Sequence, residues 1–287
     1  MALVAACTVL PGSPEMTVPL LTTASPELRV SPTPPPAWTP QPTITPLPPD
    51  TGWVPVHPGI EVRSLDVPAG QMMERVSVAR LDASAVSLRV AYTPGVAYPV
   101  SVWARQLGAL LVVNGGYFTP EAMVTGLTVV DGQPFGTPHG DFAGMLAVAR
   151  DGAVSVRWLR TWPYDPTEPL QSAIQSFPML VRPGGVMGFP ADGDDGRTSR
   201  RAVVAQDRQG RILLLIAPRG HLSLHALAVW LAESDLDLDV ALNLDGGTSS
   251  GFWMDGGPRM GGGPQMGGGP QIDSLIAVPV ALGVFAK

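Results

Sequence analysis

The chain has 287 residues, 45% of them hydrophobic, which is enough for one large domain or two small ones with a sizeable core. Its net charge of −6 argues against nucleic acid as a partner, because phosphate backbones are held by basic faces. A single cysteine excludes a disulfide framework and a cysteine-based metal centre.

That cysteine, Cys7, ends the stretch LVAAC, the kind of small and aliphatic run that precedes a lipidated cysteine in bacterial lipoproteins. The charged n-region and long apolar h-region of a signal peptide do not stand before it. The expectation is a lipid anchor at Cys7, and hence an extracytoplasmic or cell-surface protein that meets the membrane through lipid alone. From Thr8 to about Asp50 the chain is rich in Pro, Thr and Ser (SPTPPPAWTPQPTITPLPPD), the composition of an extended, solvated spacer. Residues 1–52 therefore read as anchor and tether, and 53–287 as the folded domain. No later stretch is long and apolar enough to span a bilayer.

Beyond residue 53, GIEVRSLDV, ERVSVARLD and AVSLRVAYT alternate apolar and polar residues and predict half-buried strands. SVWARQLG predicts a short helix. The apolar strand ALLVV follows it and ends in Asn114, Gly115 and Gly116. LTVVDG, GMLAVARDG, AVSVRWL, PMLVRPGG and RAVVAQD predict further strands, several joined by Asp-Gly or Gly-Gly hairpin turns. RILLLIAP is a buried strand. Ser223 can then cap a helix whose Leu224, Leu227, Ala228 and Leu231 make one apolar stripe. DVALNL is the next buried strand, so the unit predicts a βαβ crossover with parallel strands. The expected fold class is α/β (α+β), a mixed, strand-rich sheet with this crossover near the C terminus. Residues 256–272, a Gly- and Pro-rich repeat, read as a mobile loop before the last strand, SLIAVPVALGVF.

Ligands of such folds bind beyond the carboxyl ends of the strands. NLDGGTSSG sits at one of those ends and contains a G-x-S-x-G match centred on Ser249. A nucleophile elbow needs a helix after the serine, with the acid and the histidine later in the chain. FWMDGGP cannot form that helix, and all four histidines precede Ser249. The serine-hydrolase reading fails. The three carboxylates of DGDDG (192–196) lack the spacing and terminal Glu of a calcium loop. His221 and His225 are four residues apart but have no Glu at metal-ligand spacing, so no metal and no cofactor is expected. What remains is a constellation. Asp245 follows Asn243, Gly246-Gly247 lets the backbone approach a ligand, Asn114-Gly115-Gly116 offers a second corner, and Arg200 or Arg201 can reach the same crevice. A carboxylate, backbone corners and an arginine suit a ligand carrying both sugar and phosphate.

NGGYF, AIQSFPMLV, SRRAVVAQDRQGRILLLIAPRG, LSLHALAVWLAES and VALNLDGGTSSGFW resemble, in order and spacing, the motifs of the phosphodiester glycosidase family over roughly residues 103–285. The resemblance implies hydrolysis of the glycosidic bond of a sugar-1-phosphodiester, giving a free sugar and a phosphomonoester. It implies catalytic roles for Asp245, Arg200 and Asn243, and substrate binding by Asn114, Gly115, Gly116, Gly246, Gly247 and Ser249. On that reading Arg200 and the Gly115-Gly116 amides hold phosphate oxygens while Asp245 faces the anomeric carbon. Two departures stand out. Arg201 replaces the usual Thr of an R-T-A motif, and Thr248 replaces a usual third glycine. Two other readings stay open: a surface lipoprotein that binds cell-wall or exopolysaccharide glycan without turnover, and a phosphodiesterase that breaks the bond on the other side of phosphorus.

Overall fold

The computed structural model of the protein describes residues 48–255 and 269–287. Cys7, the tether up to residue 47 and most of the Gly-Pro repeat lie outside the described residues. Strands β1 (Val54–His57), β2 (Ile60–Ala69), β3 (Met72–Leu81) and β4 (Val86–Tyr92) lead to helix α1 (Val100–Leu107) and strand β5 (Leu111–Asn114). Then come β6 (Thr128–Val130), β7 (Gln133–Phe135), β8 (Gly144–Ala149), β9 (Val154–Trp158), β10 (Leu170–Ser176), β11 (Met179–Arg182) and β12 (Val186–Met187). The last third holds β13 (Ser199–Asp207), β14 (Ile212–Leu222), α2 (Leu224–Glu233), β15 (Leu238–Asn243), β16 (Phe252–Met254), β17 (Gln271–Ile272) and β18 (Val280–Ala286).

The strands form an eight-stranded sheet, β1-β2-β3-β14-β13-β15-β11-β12, and two five-stranded sheets, β7-β6-β10-β8-β9 and β17-β16-β5-β18-β4. All three contribute to one apolar interior, where Leu88, Leu111, Leu146, Ile174, Leu214 and Leu282 meet. The side-chain alternation of a strand explains how one segment serves two layers. In β14, Ile212, Leu214 and Ile216 face that interior, while Leu213, Leu215 and Ala217 face a second cluster under α2. Helix α2 seals this cluster with Leu227, Ala228 and Leu231. Its first turn is held by Ser223 Oγ, which accepts from Ala226 N at 3.2 Å, and by Asp194 Oδ2, which accepts from His225 N at 3.3 Å. The DGDDG loop thus touches the start of α2. Among the described residues no group of three potential ligands is placed to hold a metal ion, and no helix is long and apolar enough to cross a membrane.

Four expectations need correction. The sheets are not mixed, since every strand pairing between the named strands is antiparallel. Strands β14 and β15 are not neighbours: β13 lies between them and is antiparallel to both. The physical reason is the tight turn at 207–210, where Gly210 N donates to Asp207 O, so that β14 folds straight back on β13 before α2 begins. The expected loop at 256–272 also ends early, because Gln271 and Ile272 pair with Trp253 and Phe252. Residues 48–52, read as tether, lie on the folded part. Arg63 pairs with Asp50 at 2.6 Å and with Asp235 at 2.9 Å, and Arg75 Nη1 donates to Pro48 O at 2.8 Å.

Candidate active site

Two strand ends from different sheets meet at the site. β5 ends at Asn114 and β15 at Asn243, and Asn114 ties the two corners together. Its buried amide donates through Nδ2 to Asp245 O at 2.8 Å and accepts through Oδ1 from Gly251 N at 3.1 Å. Asp245 N donates in turn to Gly115 O at 3.1 Å. Gly115 is required here by packing, since a Cβ on it would come within 2.4 Å of Val280 Cγ1. Its N–H is committed to Val280 O at 2.8 Å and is not available to a ligand, contrary to the expected phosphate role. Gly116 is tight against Ile174 and the Gln175 carbonyl, with 3.0 and 3.3 Å to an added Cβ. Gly115→Ala is expected to lower stability by about 1–3 kcal/mol, the usual penalty of overpacking. A thermal melt checks it, and an unchanged Tm would contradict the assignment.

Asn243 is fully enclosed. Its Nδ2 lies 2.6 Å from Leu244 O, 3.0 Å from Tyr117 Oη and 3.0 Å from Phe177 O, while its backbone carbonyl accepts from Ser176 Oγ at 2.7 Å. Tyr117 Oη donates to Phe177 O at 2.8 Å. Burial, together with the nearby Asp245 charge, pushes the Tyr117 phenol up to about 12, so it stays a neutral donor. Asn243 therefore orients Tyr117 beside the carboxylate.

The Asp245 carboxylate is the chemical centre. Oδ1 accepts from Gly246 N at 2.8 Å, and the Ser249 hydroxyl also serves it. Burial nevertheless raises its pKa, these hydrogen bonds only partly opposing the shift. Among the described residues no arginine pairs with it. Gly247, at φ +63°, opens the short helical turn Gly247–Ser249 that brings Ser249 back over the carboxylate. The Ser249 hydroxyl thus favours the charged form of Asp245, and Thr248 holds the neighbouring wall through its carbonyl, which accepts from Leu275 N at 2.8 Å.

The raised pKa has a consequence for stability. Between the ordinary aspartate value of 3.8 and its higher folded value, the native state holds a proton that the unfolded chain has lost. Stability present at low pH is therefore lost as pH rises through the folded pKa. Asp245→Asn is expected to melt higher than the wild type at pH 7 and to lose that advantage near pH 3. A constant difference across that range would contradict it.

The two arginines reach different places. Arg200 Nη2 donates to Asp273 O at 2.8 Å, its Nε is buried without a partner, and desolvation lowers its pKa. Arg201 shares the face of Val203, the ladder partner of Asn243. Its Nη2 donates to Arg197 O at 2.8 Å, and its Nη1 would stand 3.6 Å from a Cβ on Gly246. Desolvation lowers its pKa too, opposed by Tyr117, Asp194 and Asp195.

Tyr117 and Phe177 are not among the site residues expected from the sequence, and Arg201 stands there only as an alternative to Arg200. Tyr117 is the aromatic of NGGYF and Phe177 that of QSFP, so both were visible as letters but not as neighbours of Asp245. Beyond Phe177 opens a cleft of about 740 Å³ lined by His139, Phe142, Arg160, Tyr164 and Gln175. Phe142 links it to the centre, with ring centroids 5.3 Å from Tyr117 and 6.5 Å from Phe177. Asp245 does not line that cleft.

The architecture is similar to that of solved proteins. The catalytic domain of zebrafish N-acetylglucosamine-1-phosphodiester alpha-N-acetylglucosaminidase, auto-inhibited by its pro-peptide, superposes with a TM-score of 0.58 at 20% identity, covering 79% of this chain and 82% of that one. A hypothetical protein from Synechocystis gives 0.58 at 15% identity, covering 84% of this chain and 64% of that one. At these identities the likeness is one of fold. No curated protein matches significantly. The family model for phosphodiester glycosidase matches residues 107–285, a span that contains both strand-end corners, Arg200, Arg201 and Asp245. On that match the chain belongs to the phosphodiester glycosidase family, whose members are glycosidase-type hydrolases.

Proposed function

We propose that the protein hydrolyses the glycosidic bond of a sugar-1-phosphodiester, releasing a free sugar and a phosphomonoester. The observation that carries this reading is the Asp245 carboxylate, half-buried, held by Gly246 N–H with the Ser249 hydroxyl favouring its charge, and without an arginine counter-ion among the described residues. A carboxylate so placed can face an anomeric carbon as nucleophile, as base for a water or as partner of an oxocarbenium-like state. Phosphate monoester leaves more readily than a sugar hydroxyl, so charge stabilisation on the leaving side can carry much of the catalysis. Tyr117 and Arg201, whose Nη1 stands beside Gly246, supply that side. Arg200 braces the wall at Asp273, and Asn243 and Asn114 keep Tyr117 and Asp245 in register. The sequence around Cys7 supports a lipid-anchored, extracytoplasmic setting, where the substrate is a surface or secreted glycan.

Incubation of the full chain with a panel of sugar-1-phosphodiesters, N-acetylglucosamine-1-phosphomannose among them, tests the proposal. Free reducing sugar is the expected product. Sugar 1-phosphate would replace the reading with a phosphodiesterase. Glycan retention without any product would replace it with a binding lipoprotein.

A further inference from the structure

We infer that Arg201, the residue at which this chain departs from the family's R-T-A motif, is the ligand of the substrate's phosphate group and sets the chain's preference for anionic over neutral leaving groups. The inference rests on the hydrolytic reading above and assigns its leaving-group side.

Four observations point to it. Arg200 leaves β13 on the opposite face from Arg201 and is turned to Asp273, whose carbonyl accepts from its Nη2 at 2.8 Å. Arg201 is fixed at one edge of its guanidinium, where Nη2 donates to Arg197 O at 2.8 Å and Nε points at Leu222 O at 3.4 Å. The bend of β14 that presents Leu222 O is itself built in, because the fully buried Glu74 accepts from Arg219 N and His221 N, each at 2.9 Å. The other edge of the guanidinium, Nη1, has no hydrogen-bond partner among the described residues and stands beside Gly246, the residue after Asp245.

The charge balance agrees. No described carboxylate lies within ion-pair distance of Arg201, although Asp194 and Asp195 are near enough to favour its charge. A cation held in a partly desolvated position without an ion-pair partner is stabilised when an anion binds there. Planar guanidinium suits phosphate, to which it can present two donors. The Tyr117 phenol is near enough to feel the charges of both Asp245 and Arg201. A ligand with its sugar at Asp245 and its phosphate at Arg201 would therefore bring its glycosidic bond into the neighbourhood of the Tyr117 hydroxyl. Thr at position 201 would lack both the reach and the charge.

The test uses the full chain and two readouts, with melting curves confirming that each variant is folded. Binding of glycerol 3-phosphate and of N-acetylglucosamine is measured for the wild type, Arg201→Thr, Arg201→Lys and Arg200→Lys. Arg201→Thr should weaken glycerol 3-phosphate by about 10- to 100-fold, the range of a charge-assisted hydrogen bond. N-acetylglucosamine binding should be unchanged, and Arg201→Lys should recover part of the loss. Turnover is compared on a sugar-1-phosphodiester and on an uncharged aryl glycoside of the same sugar, and Arg201→Thr should lose kcat/KM on the first only. Unchanged phosphate binding in Arg201→Thr, or equal losses on both substrates, would overturn the assignment. Should the wild type turn over neither substrate, the hydrolytic reading fails, while the phosphate-binding result still decides whether Arg201 holds the anion.

Discussion

Asp245→Asn is expected to lower turnover of a sugar-1-phosphodiester by about 10²- to 10⁴-fold, the range lost when a positioned acid–base group is removed, while leaving the fold intact. The amide keeps the shape and can still accept from Gly246 N, but it carries no charge, takes no proton and makes no covalent glycosyl bond. Ser249→Ala provides the contrast. Its hydroxyl helps hold the carboxylate, so its loss should reduce activity far less than loss of Asp245. A Ser249→Ala variant as inactive as Asp245→Asn would restore the nucleophile reading of G-x-S-x-G. Activity should also fall with acid earlier than for an ordinary aspartate, because burial raises the Asp245 pKa and the reaction needs the ionised form. Steady-state rates across pH 3–8 check this.

Asn114→Ala is expected to cost about 2–6 kcal/mol of stability, since two buried backbone groups lose their partners at about 1–3 kcal/mol each. The groups are Asp245 O, which receives Nδ2 at 2.8 Å, and Gly251 N, which donates to Oδ1 at 3.1 Å. No water can readily replace them, because Asn114 is enclosed between β5, β18 and the 245–251 turn. The same change should lower turnover, as it frees the strand end that carries Asp245. Asn114→Asp keeps the acceptor for Gly251 N but sets a carboxylate oxygen against Asp245 O in an enclosed place, so at pH 7 its stability in denaturant unfolding should be no higher than that of Asn114→Ala. A loss under about 0.5 kcal/mol for Asn114→Ala, the size of an ordinary surface change, would show that the two corners are not joined through this side chain.

Much of the fold was legible because burial acts through periodicity. The strict alternation of AVSLRVAYT became β4, with Val86, Leu88, Val90 and Tyr92 all buried. Ser223 was readable as a cap because a hydroxyl at that place has one job, and it does accept from Ala226 N. Sheet order was not legible. Apolar pattern shows that β14 and β15 are buried on both faces, but parallel neighbours and antiparallel neighbours of a third strand bury the same residues. Strand β10 was missed for a related reason. Its LQSAIQS places Ser172, Gln175 and Ser176 in the interior, where each polar group is satisfied by a distant backbone partner; Gln175, for example, holds Leu127 N and the 139–142 loop. At the site, Asp245 was legible from its setting at a strand end. The division of labour between Arg200 and Arg201 was not, because adjacent letters on a strand leave it on opposite faces.

The central claim is that the bond broken is the one between the sugar's anomeric carbon and oxygen, at Asp245. Hydrolysis in ¹⁸O-labelled water with mass analysis of the phosphomonoester tests it most directly. The account predicts a phosphomonoester free of ¹⁸O, formed by the wild type and not by Asp245→Asn. Label in the phosphomonoester would mean that water attacks phosphorus, and would contradict the account.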